Sequence, residues 1–326
     1  MIDRALQNDQ FSGVVLVARH HQTIFLGVYG CADRENNLAN TADTTFRIGS
    51  MNKMFTAIAI LQLVEAGKVH LDDAVSQYLD DYPNREFAAR VTIRELLTHT
   101  AGAGDIFGSQ FDAHRRDLRE LRDYAKLYGD RAPEFEPGSR YSYSNYGFVV
   151  LGLVIERVSR ESYYDYVQSH VFTPARMIST GSLPEDVLVP RRSIGYMLMA
   201  GSVAWQRNTD TLPFRGTSAG GGYSTAEDLL RFDRAFWTAR LLPETSVNLM
   251  TSGKVDTAWP GVKYGYGFME STQDGVRWLG HEGGAQGMNG EYWHAPVTGY
   301  TLIALSNLDP PSATVMVQAI ARLLPP

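Results

Sequence analysis

The sequence has 326 residues, of which 44% are hydrophobic and 20% are charged, so it can bury a large core. Its formal net charge is −6, with no long run of one sign. This balance argues against nucleic acid as a partner, because phosphate binding needs a concentrated basic face. No stretch approaches the roughly 20 apolar residues that a membrane-spanning helix needs, so we expect no membrane span.

The N-terminus and the cysteine content bear on the compartment. The first four residues, Met1-Ile2-Asp3-Arg4, lack the basic-then-apolar layout of a signal peptide, which indicates a cytoplasmic protein as the sequence stands. A protein whose signal had been trimmed away would look the same and would be exported. Cys31 is the only cysteine, so no intrachain disulfide can form and the redox compartment stays open.

The N-terminal part of the chain predicts a helix, a hairpin and a second helix. Residues 2–9 have the pattern of a short helix. Residues 12–19 and 23–29 are rich in β-branched and aromatic side chains, and the three residues between them favour a hairpin. Residues 46–66 predict a long buried helix that ends at Gly67.

The rest of the chain is helix-rich first and strand-rich last. Residues 148–158 are apolar nearly all round and predict a core helix. Strand patterns return in the C-terminal part, at residues 263–269, 276–279, 290–294 and 301–306, and a last helix is predicted at 313–323. Strands at both ends predict an α+β fold with a mainly antiparallel sheet built from both termini.

We therefore divide the chain into two predicted domains. Residues 1–60 and 245–326 form an α/β sheet domain, and residues 61–244 form a helical domain inserted between them. The oligomeric state does not follow from the sequence.

Three short elements carry the chemistry, and the first is Ser50-Met51-Asn52-Lys53. A spacing of three on a helix puts the amine of Lys53 within reach of the Ser50 hydroxyl. Lys53 is the only charged residue between Ile48 and Val64, and burial without a counter-ion lowers a lysine pKa. A neutral amine is a base that can activate serine as a nucleophile. The same spacing also fits a serine at a helix start and a lysine that reaches solvent.

The second element is Tyr143-Ser144-Asn145, just before the predicted core helix. A tyrosine beside an ammonium group can act as a base or proton shuttle, and Asn145 can orient Lys53 and bind a substrate amide or ester. The alternative makes Asn145 an ordinary helix N-cap. Tyr82-Pro83-Asn84 has the same spacing but lies in an acidic, proline-broken turn.

The third element runs from Leu279 to Gly287 and includes His281, Gly283 and Gly284. Small residues on a strand let a substrate backbone approach closely. We expect the backbone N–H of Gly284 to form an oxyanion hole with that of Ser50, and His281 to hold substrate or the Tyr143 hydroxyl. A glycine-rich turn with one surface histidine is the structural alternative, and Lys263-Tyr264-Gly265 competes for the same role.

Taken in this order, the three elements resemble the serine β-lactamase and penicillin-binding protein superfamily. The similarity is strongest to the branch of class C β-lactamases with esterase and D-aminopeptidase relatives, and it extends from about residue 11 to the C-terminus. Four further stretches are typical of that branch: Phe46-Arg-Ile-Gly-Ser50, Glu95-Leu-Leu-Thr-His-Thr100, residues 137–147 and residues 220–230.

The resemblance implies a sheet flanked by helices, an all-helical lobe and an active site between them. It implies that Ser50 is acylated, that Lys53 and Tyr143 share the proton transfers, and that Tyr143 activates the deacylating water. No metal or organic cofactor is expected, and the partner is a small ester or amide substrate. A carboxylesterase is the first expectation; a β-lactamase, a D-alanyl-D-alanine carboxypeptidase and a D-aminopeptidase are alternatives.

One departure from the pattern of this branch bears on the substrate. Where the lactamases often have Lys-Thr-Gly, this sequence has His281-Glu282-Gly283. A carboxylate at Glu282 would repel a substrate carboxylate if it faced the site. We therefore expect carboxylate-bearing β-lactams and D-alanyl peptides to be poor substrates, and neutral esters, neutral amides or substrates with a free amine to fit better.

Two competing interpretations stay open at the level of sequence. Residues 216–220 match the nucleophile elbow of α/β-hydrolases around Ser218, with Asp256 or Asp274 and then His281 following in the right order. The elbow needs a strand directly before it and a helix directly after it, and neither is predicted here. The second interpretation is a relative of the fold that binds a ligand without turnover.

Overall fold

The strands of the protein form one large sheet and three short ladders. A computed structural model describes residues 10–202 and 204–325, so the helix predicted at residues 2–9 lies outside the described residues. The strands, in chain order, are β1 Gly13–Arg19, β2 Gln22–Tyr29, β3 Cys31–Asp33, β4 Leu38–Ala39, β5 Phe46–Arg47, β6 Tyr196–Leu198, β7 Trp205–Arg207, β8 Tyr223–Ser224, β9 Val255–Asp256, β10 Val262–Tyr264, β11 Met269–Gln273, β12 Val276–Ala285, β13 Met288–Ala295 and β14 Tyr300–Ser306.

The large sheet has the order β2-β1-β14-β13-β12-β11-β10-β9, and every pairing in it is antiparallel. The C-terminal strands are joined to one another by short turns, as antiparallel neighbours allow. β1 pairs with β14 with Gly13 opposite Ser306, so the first and the last strand lie side by side, second and third in the order of the sheet. The predicted antiparallel sheet built from both termini is confirmed.

Helices cover both faces of this sheet. In chain order they are α1 Asn52–Glu65, α2 Arg85–Arg90, α3 Ile93–Leu97, α4 Ser109–His114, α5 Leu121–Tyr128, α6 Asn145–Ser159, α7 Tyr163–Val167, α8 Thr173–Ala175, α9 Ala226–Trp237, α10 Glu244–Thr251 and α11 Ser312–Ala321. No helix over the described residues is both long and apolar enough to cross a membrane.

The alternating side chains of β1 contribute to two separate hydrophobic clusters, one on each face of the sheet. Val14 and Leu16 join the larger cluster with α1, α6 and α9, while Val15 and Val17 join a smaller one with α11. This follows from the period of two, by which neighbouring side chains of a strand point to opposite faces. The sheet is therefore buried on both faces.

The helix predicted at residues 46–66 begins later than expected. Phe46–Arg47 pairs with β8 as strand β5, Gly49–Met51 forms a short 3₁₀ turn, and the α-helix starts at Asn52. Gly49 has φ +53°, which a continuous helix excludes. The helix ends as predicted, with Gly67 at φ +65° just beyond it.

The range 61–244 is mainly helical and also carries the β6–β7 ladder and strand β8. α9 belongs to that range, yet it packs on the sheet against β1 and β14. The division into domains at residues 60 and 244 stays a prediction.

Candidate active site

Ser50 lies in the 3₁₀ turn between β5 and α1. Backbone hydrogen bonds hold this turn against the loop before β8, from Gly221 N–H to the Gly49 carbonyl and from Ile48 N–H to the Gly222 carbonyl. The Ser50 side chain is partly exposed and lines two neighbouring cavities. Its position before α1 also exposes it to the positive end of the helix dipole, which favours developing negative charge.

Lys53 is wholly buried in the first turn of α1, and its amine contacts three groups. Its Nζ lies 3.3 Å from Ser50 Oγ and 2.7 Å from Asn145 Oδ1, and it also donates to the carbonyl oxygen of Ala219. The structure thus brings together Ser50, Lys53 and Asn145, which the sequence predicted to be neighbours.

The surroundings of Lys53 favour its neutral form. Burial lowers its pKa to about 7, and the negative charge of Asp105 opposes this only in part. A neutral amine has two N–H groups and one lone pair. Because Asn145 Oδ1 and the Ala219 carbonyl can only accept, they take the two N–H groups and leave the lone pair for the Ser50 hydroxyl.

Tyr143 completes this group on the other side of Ser50. Its ring centre lies 4.6 Å from Lys53 Nζ, and its hydroxyl is hydrogen-bonded to Ser50. Burial raises the pKa of Tyr143 well above its usual value, an effect that the hydrogen bond to Ser50 opposes. Tyr143 is therefore protonated at neutral pH, and of the two groups beside Ser50 only Lys53 is available as a base in the resting site.

Asn145 begins α6 and joins Lys53 to Asp105. Its Nδ2 lies 3.0 and 3.2 Å from the two carboxylate oxygens of Asp105. Since a carboxylate only accepts, the amide must turn its nitrogen to Asp105 and its oxygen to Lys53. The N-cap of α6 is Ser144, whose hydroxyl accepts from Gly147 N–H, so the N-cap alternative for Asn145 is wrong.

His281 lies on β12. The sequence suggested that it could bind the Tyr143 hydroxyl, but its ring nitrogens have other partners. The Nδ1 of this buried histidine contacts the Glu282 carbonyl at 2.5 Å, and its Nε2 lies 2.9 Å from Tyr264 Oη. Burial lowers the pKa of His281 to about 3, so the ring is neutral, with its proton on Nδ1 facing the carbonyl. Nε2 then accepts from Tyr264, and both nitrogens are occupied.

Gly283 and Gly284 let β12 pack directly against the Ser50 turn. A methyl group on Gly283 would lie 1.9 Å from the Ile48 carbonyl oxygen and 3.1 Å from Ser50 N, so only glycine fits. A methyl group on Gly49 would likewise lie 3.1 Å from Gly284 N. The Ser50 turn and the Gly283–Gly284 segment of β12 therefore lie in direct backbone contact. An oxyanion hole formed by the N–H groups of Ser50 and Gly284 stays a prediction.

One edge of β12 faces the cleft. β11 pairs with Val276–Gly280, so the next five residues, 281–285, have β13 on one side and the cleft on the other. Glu282 belongs to this edge and lines the same cavity of about 500 Å³ as Ser50 and Tyr143. Burial raises the pKa of its carboxyl group. The carboxylate expected to repel anionic substrates thus faces the site.

Three residues near the site were not predicted: Asp105, His99 and Tyr264. His99 is buried with its ring centre 4.2 Å from that of Tyr143 and 4.6 Å from that of Tyr264. The quoted stretch 95–100 contains His99, which offered a signal. Tyr264 belongs to the competing Lys263-Tyr264-Gly265 element, and it meets His281 instead of replacing it.

The alternative elbow at residues 216–220 lacks its geometry. Ser218 is fully buried, and its hydroxyl has no hydrogen-bond partner among the described residues. The next helix, α9, starts only at Ala226. Because both ring nitrogens of His281 bind other groups, no histidine base is available from that element.

Comparisons with known proteins identify the family of the chain. The family model described as "Beta-lactamase" matches residues 1–324. PbpX of Bacillus subtilis (strain 168), named as a penicillin-binding protein, is 31% identical over 82% of this chain, which spans only 64% of that protein. Esterase EstB of Burkholderia gladioli is 30% identical, with 94% of this chain and 88% of EstB covered.

A solved structure gives the same result for the fold. The penicillin-binding protein from Bacillus halodurans superposes with a TM-score of 0.89 at 34% identity, covering 99% of this chain and all of that one. The family model matches almost the whole length, and the matches to EstB and to the solved structure cover most of both chains. The chain therefore belongs to the β-lactamase family.

Proposed function

We propose that the chain is a serine hydrolase, in particular a carboxylesterase, that forms an acyl-enzyme on Ser50. The observation that carries the proposal is the distance of 3.3 Å between Lys53 Nζ and Ser50 Oγ, at an amine whose burial lowers its pKa to about 7. A nucleophile and a base in hydrogen-bond reach are the minimum that acyl transfer requires.

In the proposed acylation, Lys53 takes the hydroxyl proton as Ser50 Oγ attacks the carbonyl carbon of the substrate. The N–H groups of Ser50 and Gly284 stabilise the oxyanion that forms. As the bond to the leaving group breaks, Tyr143 gives its proton to the departing oxygen or nitrogen and regains one from Lys53. The products of this half-reaction are acyl-Ser50 and the free alcohol or amine, with Lys53 neutral again.

Deacylation repeats these transfers with water. Tyr143 passes its proton to Lys53 and takes one from the attacking water, whose oxygen forms a bond to the acyl carbon. The ester bond to Ser50 then breaks, and Lys53 returns the proton to Ser50 Oγ. A carboxylic acid is released and the resting site is restored.

The two cavities beside Ser50 support a substrate class. One has a volume of about 110 Å³ and a mainly apolar lining that includes Ile106, Phe107, Leu212 and Met288. This is smaller than the roughly 150 Å³ apolar cavity that holds benzene in another protein, so a short acyl group fits. The other cavity contains Glu282, which disfavours a carboxylate on the substrate. Esters of short acids without a carboxylate are therefore the expected substrates.

A hydrolysis panel tests the proposal: nitrophenyl esters of increasing acyl length, nitrocefin, and D-amino-acid amides, each with the wild type and Ser50→Ala. We expect acetyl and butyryl esters to be cleaved, longer esters and nitrocefin to be cleaved slowly, and Ser50→Ala to lose all activity. Rapid nitrocefin or penicillin turnover would favour a β-lactamase, and rapid release of D-alanine or of D-amino acids would favour the peptidase alternatives.

The non-catalytic alternative has its own outcome in the same panel. A ligand-binding relative would form a lasting acyl adduct or none, and would release no product. Intact-mass measurement after incubation with a nitrophenyl ester distinguishes this from turnover. Labelling of Ser50→Ala, but not of Ser218→Ala, by a fluorophosphonate would contradict the role of Ser50.

A further inference from the structure

A third cavity adjoins the cleft on the α11 face of the sheet. It has a volume of about 260 Å³ and lies between α11 and strands β10 to β14. Four residues line both this cavity and the cleft beside Ser50: Trp259, Met269, Glu282 and Thr314. We call it the tryptophan cavity, because three of the five tryptophans of the chain line it.

The three indole rings give the tryptophan cavity an electron-rich wall. Trp259 is 46% exposed at the mouth shared with the cleft, and Trp278 is buried. Trp293 donates from its Nε1 to Glu291 Oε2 at 2.6 Å. The face of an indole attracts a cation more strongly than that of any other side chain.

Two carboxylates face this wall from neighbouring strands. Glu282 on β12 stands directly opposite Glu291 on β13, a pairing in which like charges repel. Glu291 is only 2% exposed, and its carboxylate accepts from two neutral donors, Thr314 Oγ1 and Trp293 Nε1. Within the described ranges neither Glu282 nor Glu291 forms an ion pair, and no lysine or arginine lines the cavity.

Carboxylates without a counter-ion in a largely apolar cavity are costly, so a cationic ligand would stabilise the buried Glu291 and the partly buried Glu282. The cost is visible in Glu291, where burial and the charge of Glu282 raise the pKa to about 7. A hard metal cation prefers a shell of oxygen ligands, whereas this lining is largely aromatic and aliphatic. Indole faces together with carboxylates are the surroundings that suit an organic ammonium group.

We propose that the tryptophan cavity binds an organic ammonium group carried by the leaving group of the substrate. This inference rests on the proposed function, because it takes Ser50 as the acylated residue. The smaller apolar cavity on the other side of Ser50 receives the acyl group, which leaves the Glu282 side for the alcohol or amine. The volume of about 260 Å³ exceeds the roughly 150 Å³ that accommodates benzene, so a trimethylammonium group fits.

A pair of esters of equal shape tests this. The acetate esters of choline and of 3,3-dimethylbutanol differ only by nitrogen or carbon at the branched centre. We expect the wild type to prefer the choline ester by about tenfold in kcat/KM, as a cation–π contact with a nearby carboxylate implies. Glu282→Gln and Trp259→Leu should bring this ratio close to one, while Glu244→Gln, an exposed carboxylate on α10, should leave it unchanged.

A wild-type ratio of one or less, or a ratio that both variants leave untouched, overturns the inference. Glu282 and Trp259 are partly exposed, so both variants are expected to fold. Glu291→Gln is the buried counterpart, and it should likewise reduce the ratio if the protein folds.

A binding experiment separates this inference from the proposed function. Tetramethylammonium is titrated into Ser50→Ala protein and followed by tryptophan fluorescence, with Ser50→Ala/Trp259→Leu as the comparison. We expect a saturable change that the second protein lacks. Saturation without any ester hydrolysis by the wild type would refute the proposed function alone. If the wild type hydrolyses 3,3-dimethylbutyl acetate but tetramethylammonium causes no saturable change in tryptophan fluorescence, the ammonium site alone would be refuted.

Discussion

The amide nitrogen of Asn145 lies between both carboxylate oxygens of Asp105, at 3.0 and 3.2 Å. This contact turns the amide oxygen of Asn145 toward Lys53, and the Asn145 side chain lies between the Asp105 carboxylate and the Lys53 amine. Direct contact with a carboxylate would hold Lys53 in its charged form. Asn145 thus orients the base while Asp105 affects it only at a distance.

Activity should rise with pH through the pKa of Lys53. The neutral amine is the reactive form, and burial lowers the pKa to about 7, so kcat/KM should fall below about pH 7 and reach a plateau above it. Hydrolysis of nitrophenyl acetate between about pH 5 and 9 measures this. A profile that is flat from pH 6 to 9 would contradict the role of Lys53.

Replacing Asp105 with asparagine should move that profile to lower pH. The carboxylate raises the pKa of Lys53 against the effect of burial, so its removal lowers the pKa. We expect the midpoint to fall by about half a pH unit or more, together with a loss of kcat as Asn145 becomes less well oriented. Asp112→Asn on α4 is the control, and an upward shift in Asp105→Asn would refute this electrostatic account.

Tyr143→Phe should slow both half-reactions, because it removes the hydroxyl that is hydrogen-bonded to Ser50. A lost proton shuttle costs about 100- to 10,000-fold in kcat. Tyr141→Phe is the matched control: the hydroxyl of this neighbouring residue is buried without a hydrogen-bond partner among the described residues, so its loss should change little. Equal effects of the two substitutions would count against the role of Tyr143.

Lys53→Met should be more stable than the wild type at neutral pH, although inactive. In the folded protein the pKa of Lys53 is lowered from 10.5 to about 7, so unfolding takes up a proton between these values and wild-type stability rises with pH. The stability advantage of Lys53→Met should therefore shrink by about 2 kcal/mol between about pH 7.5 and 9.5. Urea unfolding measures it, with the exposed Lys126→Met as a control that shows no such trend.

Gly283→Ala should abolish activity, because its methyl group would overlap the Ile48 carbonyl oxygen and displace the Ser50 turn. A loss of about 100-fold or more in kcat/KM is expected for a misplaced oxyanion hole. Gly147→Ala on α6 meets only ordinary contacts of 3.4 Å and longer, and serves as the control. Circular dichroism distinguishes a local displacement from global unfolding, and full activity in Gly283→Ala would refute the close approach.

Much of the site was predictable because its signals are local. Ser50 and Lys53 are three residues apart, and the apolar flanks of Lys53 already indicated a buried amine. The antiparallel sheet followed from strand patterns with short connections. Gly49 is where local reasoning was wrong: residues 46–51 look helical, but contacts with β8 and β12 hold them in a strand and a 3₁₀ turn.

The unpredicted residues act through contacts between distant parts of the chain. Asp105 touches Asn145 across forty residues, and Tyr264 reaches His281 from a neighbouring hairpin. Neither contact has a pattern that a single sequence could reveal. His281 was predicted to hold substrate or the Tyr143 hydroxyl. It lines the same cavity as Ser50, but its ring nitrogens contact Tyr264 and the Glu282 carbonyl, and its contact with substrate stays a prediction.

The pairing of β1 with β14 has a consequence for biosynthesis. Gly13 pairs with Ser306, and the Ser50 turn packs against Gly283 on β12, so both contacts require strands from the C-terminal part of the sequence. The ribosome must therefore have released residues up to Ser306 before β1 and the Ser50 turn have all of these contacts. A chain that is still being synthesised should therefore have no hydrolase activity. Such long-range strand pairing also makes folding slow compared with that of helical bundles.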